Sequence, residues 1–115
     1  SGTKYPKETI ERFDDFEKEF NIEELNLNAF RDTWYTGDYG LRIVGEIIGE
    51  ALPSDILIIA SAYNSNGELI GVRFDEKIRA NGFEGIDTFS IKMRIAANEE
   101  IAKIRVYPVQ NPAGF

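Results

Sequence analysis

Residues 41–74 constrain the fold more than any other stretch of this chain. They hold three apolar runs, with a turn after the first and a tight hairpin between the last two. The runs read LRIVGEIIGE, then ALPSD, then ILIIASAYNSNGELIGVRF. Side chains along a strand alternate between two faces. Ile56, Ile58, Ala60 and Ala62 therefore share one face, and Leu57, Ile59, Ser61 and Tyr63 share the other. Both faces begin apolar, which predicts a strand covered on both sides, with one face opening to solvent near Tyr63. The run is short and rich in β-branched residues, so it reads as strand rather than buried helix. Asn64-Ser65-Asn66-Gly67 supplies the turn: Asn tolerates a left-handed backbone, and Gly takes positive φ without steric cost. Glu68 to Phe74 follows as the partner strand, with Ile70, Val72 and Phe74 on one face.

The remaining strands are read the same way. Glu24 to Tyr35 reads as a strand on the alternation of Leu25 and Leu27, and Gly37-Asp38-Tyr39-Gly40 turns the chain. Leu41 to Glu50 carries Gly45 and Gly49, and a glycine inside a strand marks a bulge or a close backbone approach. Phe74 to Ala80 continues as an edge strand whose alternating charges protect it from pairing. Ile86 to Ile95 shows the cleanest alternation. Asp87, Phe89, Ile91, Met93 and Ile95 share one face, and Thr88, Ser90, Lys92 and Arg94 the other. In Ala102 to Val109, Ala102, Ile104 and Val106 point inward, and Pro108 and Pro112 end the strand.

One segment has a different period. In Lys7 to Phe20, the residues Ile10, Phe13, Phe16 and Phe20 fall within an arc of roughly 120° on a helical wheel. Glu17 is the only charge inside that arc, and Asn21 is a plausible stop. The expectation is a mainly β chain: an antiparallel immunoglobulin-like β-sandwich with one N-terminal amphipathic α-helix. An OB-type barrel is the alternative. The layout is residues 1–6 disordered, 7–21 helix, 22–110 sandwich and 111–115 loose tail. Phe89, Ile91, Met93, Ile58, Ile47 and Ile104 are the expected core.

Gly45-Glu46-Ile47-Ile48-Gly49, Ala60-Ser61-Ala62-Tyr63-Asn64, Asn66-Gly67-Glu68-Leu69-Ile70 and Asp87-Thr88-Phe89-Ser90-Ile91 carry a resemblance. From about Gly40 to Tyr107 the chain resembles the FxLYD-like group of bacterial and archaeal immunoglobulin-like domains. It departs from that pattern at Gly49, where the group has asparagine, and keeps only Tyr63 of the naming motif outright. The resemblance implies an envelope-associated, non-catalytic module of the kind attached to lipoproteins or membrane anchors.

Composition narrows the chemistry. The chain has no cysteine and no histidine, which removes disulfides, thiolate nucleophiles and the commonest metal ligand and general base. No cofactor and no metal site is expected. Net charge is −7, of which residues 1–39 contribute −5, and this argues against nucleic acid and anionic membrane as partners. The adjacent acid pairs Asp14-Asp15, Glu23-Glu24, Asp75-Glu76 and Glu99-Glu100 diverge on a helix or strand and read as solvated charge. Asp38 and Asp55 could hold calcium weakly if the fold gathered them at one end. The recognition candidates are aromatic: Trp34, Tyr35, Tyr39 and Tyr63, each with an apolar body and a polar tip suited to sugars or protein hot spots. The competing reading makes Trp34 a core residue.

No apolar run approaches the length of a transmembrane helix, and Ser1-Gly2 does not read as a native start. The expectation is therefore a chain whose targeting segment has been removed. Its function is expected to be that of a non-enzymatic, extracytoplasmic interaction or spacer module of a cell-envelope protein, meeting a protein partner or an envelope component. A small-ligand or carbohydrate-binding module using the aromatic patch is the alternative.

Overall fold

A pleat that buries every second residue needs a second sheet to bury it against, and the chain supplies two. The structure, a computed structural model, describes residues 2–74 and 77–111. Eight strands run through them: β1 (Thr3–Lys4), β2 (Ile10–Arg12), β3 (Ile22–Thr33), β4 (Tyr39–Gly49), β5 (Ile56–Tyr63), β6 (Leu69–Phe74), β7 (Ile86–Ile95) and β8 (Lys103–Gln110). A 3-10 turn (Lys7–Thr9) and one short helix, α1 (Asp14–Glu19), complete the set. Among the described residues the strands form two sheets of four, in the orders β1-β3-β4-β7 and β2-β8-β5-β6. All pairings are antiparallel except β2 with β8, which is parallel.

The alternation placed the core correctly. Ile47, Ile58, Ile91, Met93 and Ile104 are all buried, together with Leu41, Ile43, Ile56, Ala60, Ala62, Ile95 and Val106. Each large aliphatic side chain buried in this layer contributes about 1.5–3 kcal/mol. Phe89 is only half-buried, because its ring lies across Gly45, its partner in the β4–β7 ladder. A β-carbon at position 45 would collide with that ring, so Gly45 marks a close approach rather than a bulge. The β5–β6 turn also forms as expected. Gly67 sits at φ 79°, and the Asn64 side-chain oxygen accepts from the backbone N–H groups of Asn66 and Glu68, both at 3.0 Å.

The expected β-sandwich is present as two four-stranded sheets, with β3 and β4 paired as a hairpin within one of them.

The N-terminal segment needs a larger correction. Residues 1–6 are not wholly disordered, since Thr3 and Lys4 pair with Arg31 and Phe30. The helix expected over residues 7–21 is confined to Asp14–Glu19. Ile10, Glu11 and Arg12 instead pair with Ile104, Arg105 and Val106 of β8. Residues 3–12 therefore cross from one sheet to the other. Arg12 closes the transition with a bidentate bond to Glu17, Nη2 to Oε1 at 2.7 Å and Nε to Oε2 at 3.1 Å, and Glu17 is only 4% exposed. Phe13 and Phe16 pack on Tyr107 of β8, with centroids 5.7 and 5.9 Å from its ring. Asn21 stops the helix in the left-handed conformation, at φ 61°.

Three smaller expectations shift. Pro108 does not end its strand: it is buried inside β8, opposite Ile58. β2 stops opposite Val106, so on that side a missing N–H at 108 costs no ladder bond. The edge strand expected from Phe74 to Ala80 partly lies outside the described residues, and beyond them Ile78 alone makes a bridge, to Ile56. The tail expected over 111–115 also lies outside them, except for Asn111, whose N–H donates to the Asp55 carbonyl at 2.9 Å.

Gly45→Ala is expected to cost about 1–3 kcal/mol by overpacking, seen as a lower urea midpoint. The loss should shrink when Phe89→Ala is made in the same chain. Deleting residues 1–20 strips β1, β2 and α1 from both sheets, and circular dichroism melts should then lose their cooperative transition.

Candidate functional site: an outer sheet face

Parity at the ends of the β3–β4 hairpin decides where its aromatic residues go. Tyr39 opens β4 on the inner face and is 5% exposed. Its hydroxyl donates to the Glu99 carbonyl at 2.7 Å, and the Arg31 guanidinium lies 3.7 Å above its ring. Burial pushes that hydroxyl up to about 12, with Tyr5 adding to the rise and Arg31 opposing it. Tyr39 is a core residue, not part of a ligand-facing patch.

Tyr63 belongs to the other sheet. It accepts a hydrogen bond from the Ser61 hydroxyl at 3.0 Å, with Arg105 stacked 4.7 Å from its ring centroid. A single patch of Trp34, Tyr35, Tyr39 and Tyr63 therefore does not exist. Opposite parity separates Tyr39 from Trp34, and a different sheet separates Tyr63 from both.

Trp34 and Tyr35 remain together at the hairpin tip. Trp34 is half-buried and is not the core tryptophan of the sandwich. Its ring lies on Gly40, where an added β-carbon would come within 3.1 Å of Cε3. Lys92 Nζ sits 5.2 Å from the ring centroid. Tyr35 is 94% exposed.

This tip overhangs the outer face of the β1-β3-β4-β7 sheet. Register places Lys4 beside Phe30, Phe30 beside Arg42, and Arg42 beside Lys92, one row across four strands. Arg42 lies 4.5 Å above the Phe30 ring and donates from Nε to Asp32 Oδ2 at 2.7 Å. The next row is Asn28, Val44 and Ser90, and the one beyond it Asn26, Glu46 and Thr88. The Asn26 amide donates to Glu46 at 3.1 Å. The signal for this row was present in the outward set Thr88, Ser90, Lys92 and Arg94. Its alignment with Lys4 and Arg42 is a property of register alone.

Several carboxylates are tied to arginines in structural pairs. Asp32 is held below the usual carboxylate range first by its hydrogen bond from Arg42. Asp38 is lowered first by Arg94 and then by the Ala97 N–H, and Glu11 first by Arg105. Asp87, near the start of its strand, is exposed and accepts from the Thr88 N–H at 2.8 Å. Asp38 stands at the Ala97 end of the sandwich, while Asp55 accepts from the Ala80 N–H at the other, so the two do not gather. Among the described residues no three His, Cys, Asp or Glu side chains could hold a metal ion, and no helix is long and apolar enough to cross a membrane.

The fold and this face define a mainly β, two-sheet module whose outer surface carries aromatic and charged side chains. Comparisons with protein-family models, curated proteins and solved structures return no match.

The pKa displacements set a pH window. Asp32 and Asp38 are depressed, so their contribution is present above the unfolded value and is lost as pH falls through the lower folded values. Tyr39 is raised, so its contribution is full below about 10 and is lost as pH climbs through about 12. Calorimetry should show a Tm plateau between about pH 5 and about pH 9.5, falling on both sides. Asp32→Asn should flatten the acid limb and Tyr39→Phe the alkaline one.

Proposed function

We propose that this chain is a non-catalytic interaction or spacer module of a cell-envelope protein. One observation carries the reading: the chain passes from one end of the sandwich to the other. Thr3 pairs beside Arg31, at the end where Thr33, Tyr39 and Ile95 also lie. Gln110 pairs with Ile56 at the opposite end, near the β4–β5 crossing that follows Gly49. The molecule measures 41 × 27 × 25 Å, so successive units joined through these ends extend rather than fold back. The arginine-paired carboxylates support the non-catalytic part, because a general acid needs a pKa tuned toward neutrality, not away from it. An extracytoplasmic location is supported by the local strand patterns that resemble those of FxLYD-like domains.

A second reading, a carbohydrate-binding module, is favoured by Trp34 lying outside the core beside the exposed Tyr35.

Two copies joined directly from Gln110 to Thr3 test the spacer reading by small-angle X-ray scattering. The maximum dimension should roughly double relative to one copy. A value close to that of the single unit overturns the proposal.

A further inference from the structure

We propose that the outer face of the β1-β3-β4-β7 sheet binds an acidic oligosaccharide, its carboxylates meeting the Lys4–Arg42–Lys92 row and a sugar ring stacking at Tyr35 and Trp34. The proposal rests on the second reading above in taking the ligand to be a sugar, and goes beyond it in naming the charge.

The row sets Lys4, Arg42 and Lys92 on one line of an outer face that also carries Asp32 and Glu46. Neighbouring strands lie about 4.8 Å apart, so Lys4 and Lys92, three strands apart, are separated by about 14 Å along one line. Among the described residues neither lysine has a carboxylate within ion-pairing distance, whereas Arg42 is paired with Asp32. Two of the three cations are already held in place. Arg42 is fixed by the Phe30 ring and the Asp32 carboxylate, and Lys92 by the Trp34 ring. A charge placed by an aromatic ring loses little side-chain freedom when it meets an anion.

Beside the row stand Asn28, Ser90 and Thr88, amide and hydroxyl groups that suit a hydroxyl-rich ligand. Tyr35 offers an exposed ring for the apolar face of a sugar.

The same geometry disfavours other polyanions. A peptide recognised through its backbone needs a sheet edge, and this row runs across a face. Duplex nucleic acid carries a charge about every 1.7 Å, a denser array than two unpaired lysines about 14 Å apart can meet.

Affinity electrophoresis tests this, with the protein run through gels containing polygalacturonate and, in parallel, neutral dextran. Competition with poly-glutamate and with single-stranded DNA completes the set. The expected result is retardation by polygalacturonate alone, weakening as salt rises. Binding should fall about tenfold in Lys4→Glu and Lys92→Glu, with Tyr35→Ala weaker by a smaller factor. The lysines are exposed, so unchanged melting temperatures should accompany the loss. Absence of retardation, retardation unaffected by either charge reversal, or equal competition by poly-glutamate or DNA overturns the proposal. Retardation by neutral dextran that Tyr35→Ala abolishes and the lysine changes leave intact also overturns it, while leaving the carbohydrate reading in place.

Discussion

The inner rows of β4, β5, β7 and β8 must mesh in one apolar layer, and the other features of the sandwich are arranged around that demand. Leu41, Ile43, Ile47, Ile91 and Met93 of one sheet and Ile58, Ala60 and Ala62 of the other belong to one buried cluster, in which large and small side chains together reach interior density. Gly45 is where the mesh is tightest, since the Phe89 ring takes the volume its side chain would fill. Once these rows are fixed inward, the pleat sends Phe30, Arg42 and Lys92 outward together. This row of aromatic and charged side chains is thus a by-product of the same alternation that builds the core.

Two packed sheets can still slide unless something ties them, and the N-terminal segment does so. It pairs first with β3, then crosses and pairs with β8. Lys7 steadies the crossing by donating from Nζ to the Leu27 carbonyl at 2.6 Å, which also satisfies an acceptor on the open edge of β3. The Arg12–Glu17 pair then holds α1 where its phenylalanines cover Tyr107. A buried ion pair adds little net stability, but an unpaired Glu17 in that position would be costly.

Much of this was legible in the sequence, for a physical reason. Strand alternation is local, so the positions of β4, β5, β7 and β8 and most of their inward residues could be read directly. Residues 10–12 could not. Three residues are too few to reveal a period, and Ile10, Phe13, Phe16 and Phe20 mimic a helical face. What makes 10–12 a strand is a partner more than ninety positions away. The aromatic candidates failed similarly. Closeness in sequence grouped Trp34, Tyr35 and Tyr39, but one step of parity buries Tyr39. Lys4, Arg42 and Lys92 looked unrelated until register aligned them.

The parallel pairing of β2 with β8 has a mechanical consequence. Because the chain passes through the sandwich from end to end, tension on its two ends draws β2 one way and β8 the other, along their shared axis. Hydrogen bonds crossing that axis are then sheared together rather than peeled one by one. The three registered pairs from Ile10–Ile104 to Arg12–Val106 would have to give way almost simultaneously before the sheets could separate. A three-residue strand that adds little to equilibrium stability would in that way set the force at which the whole unit yields.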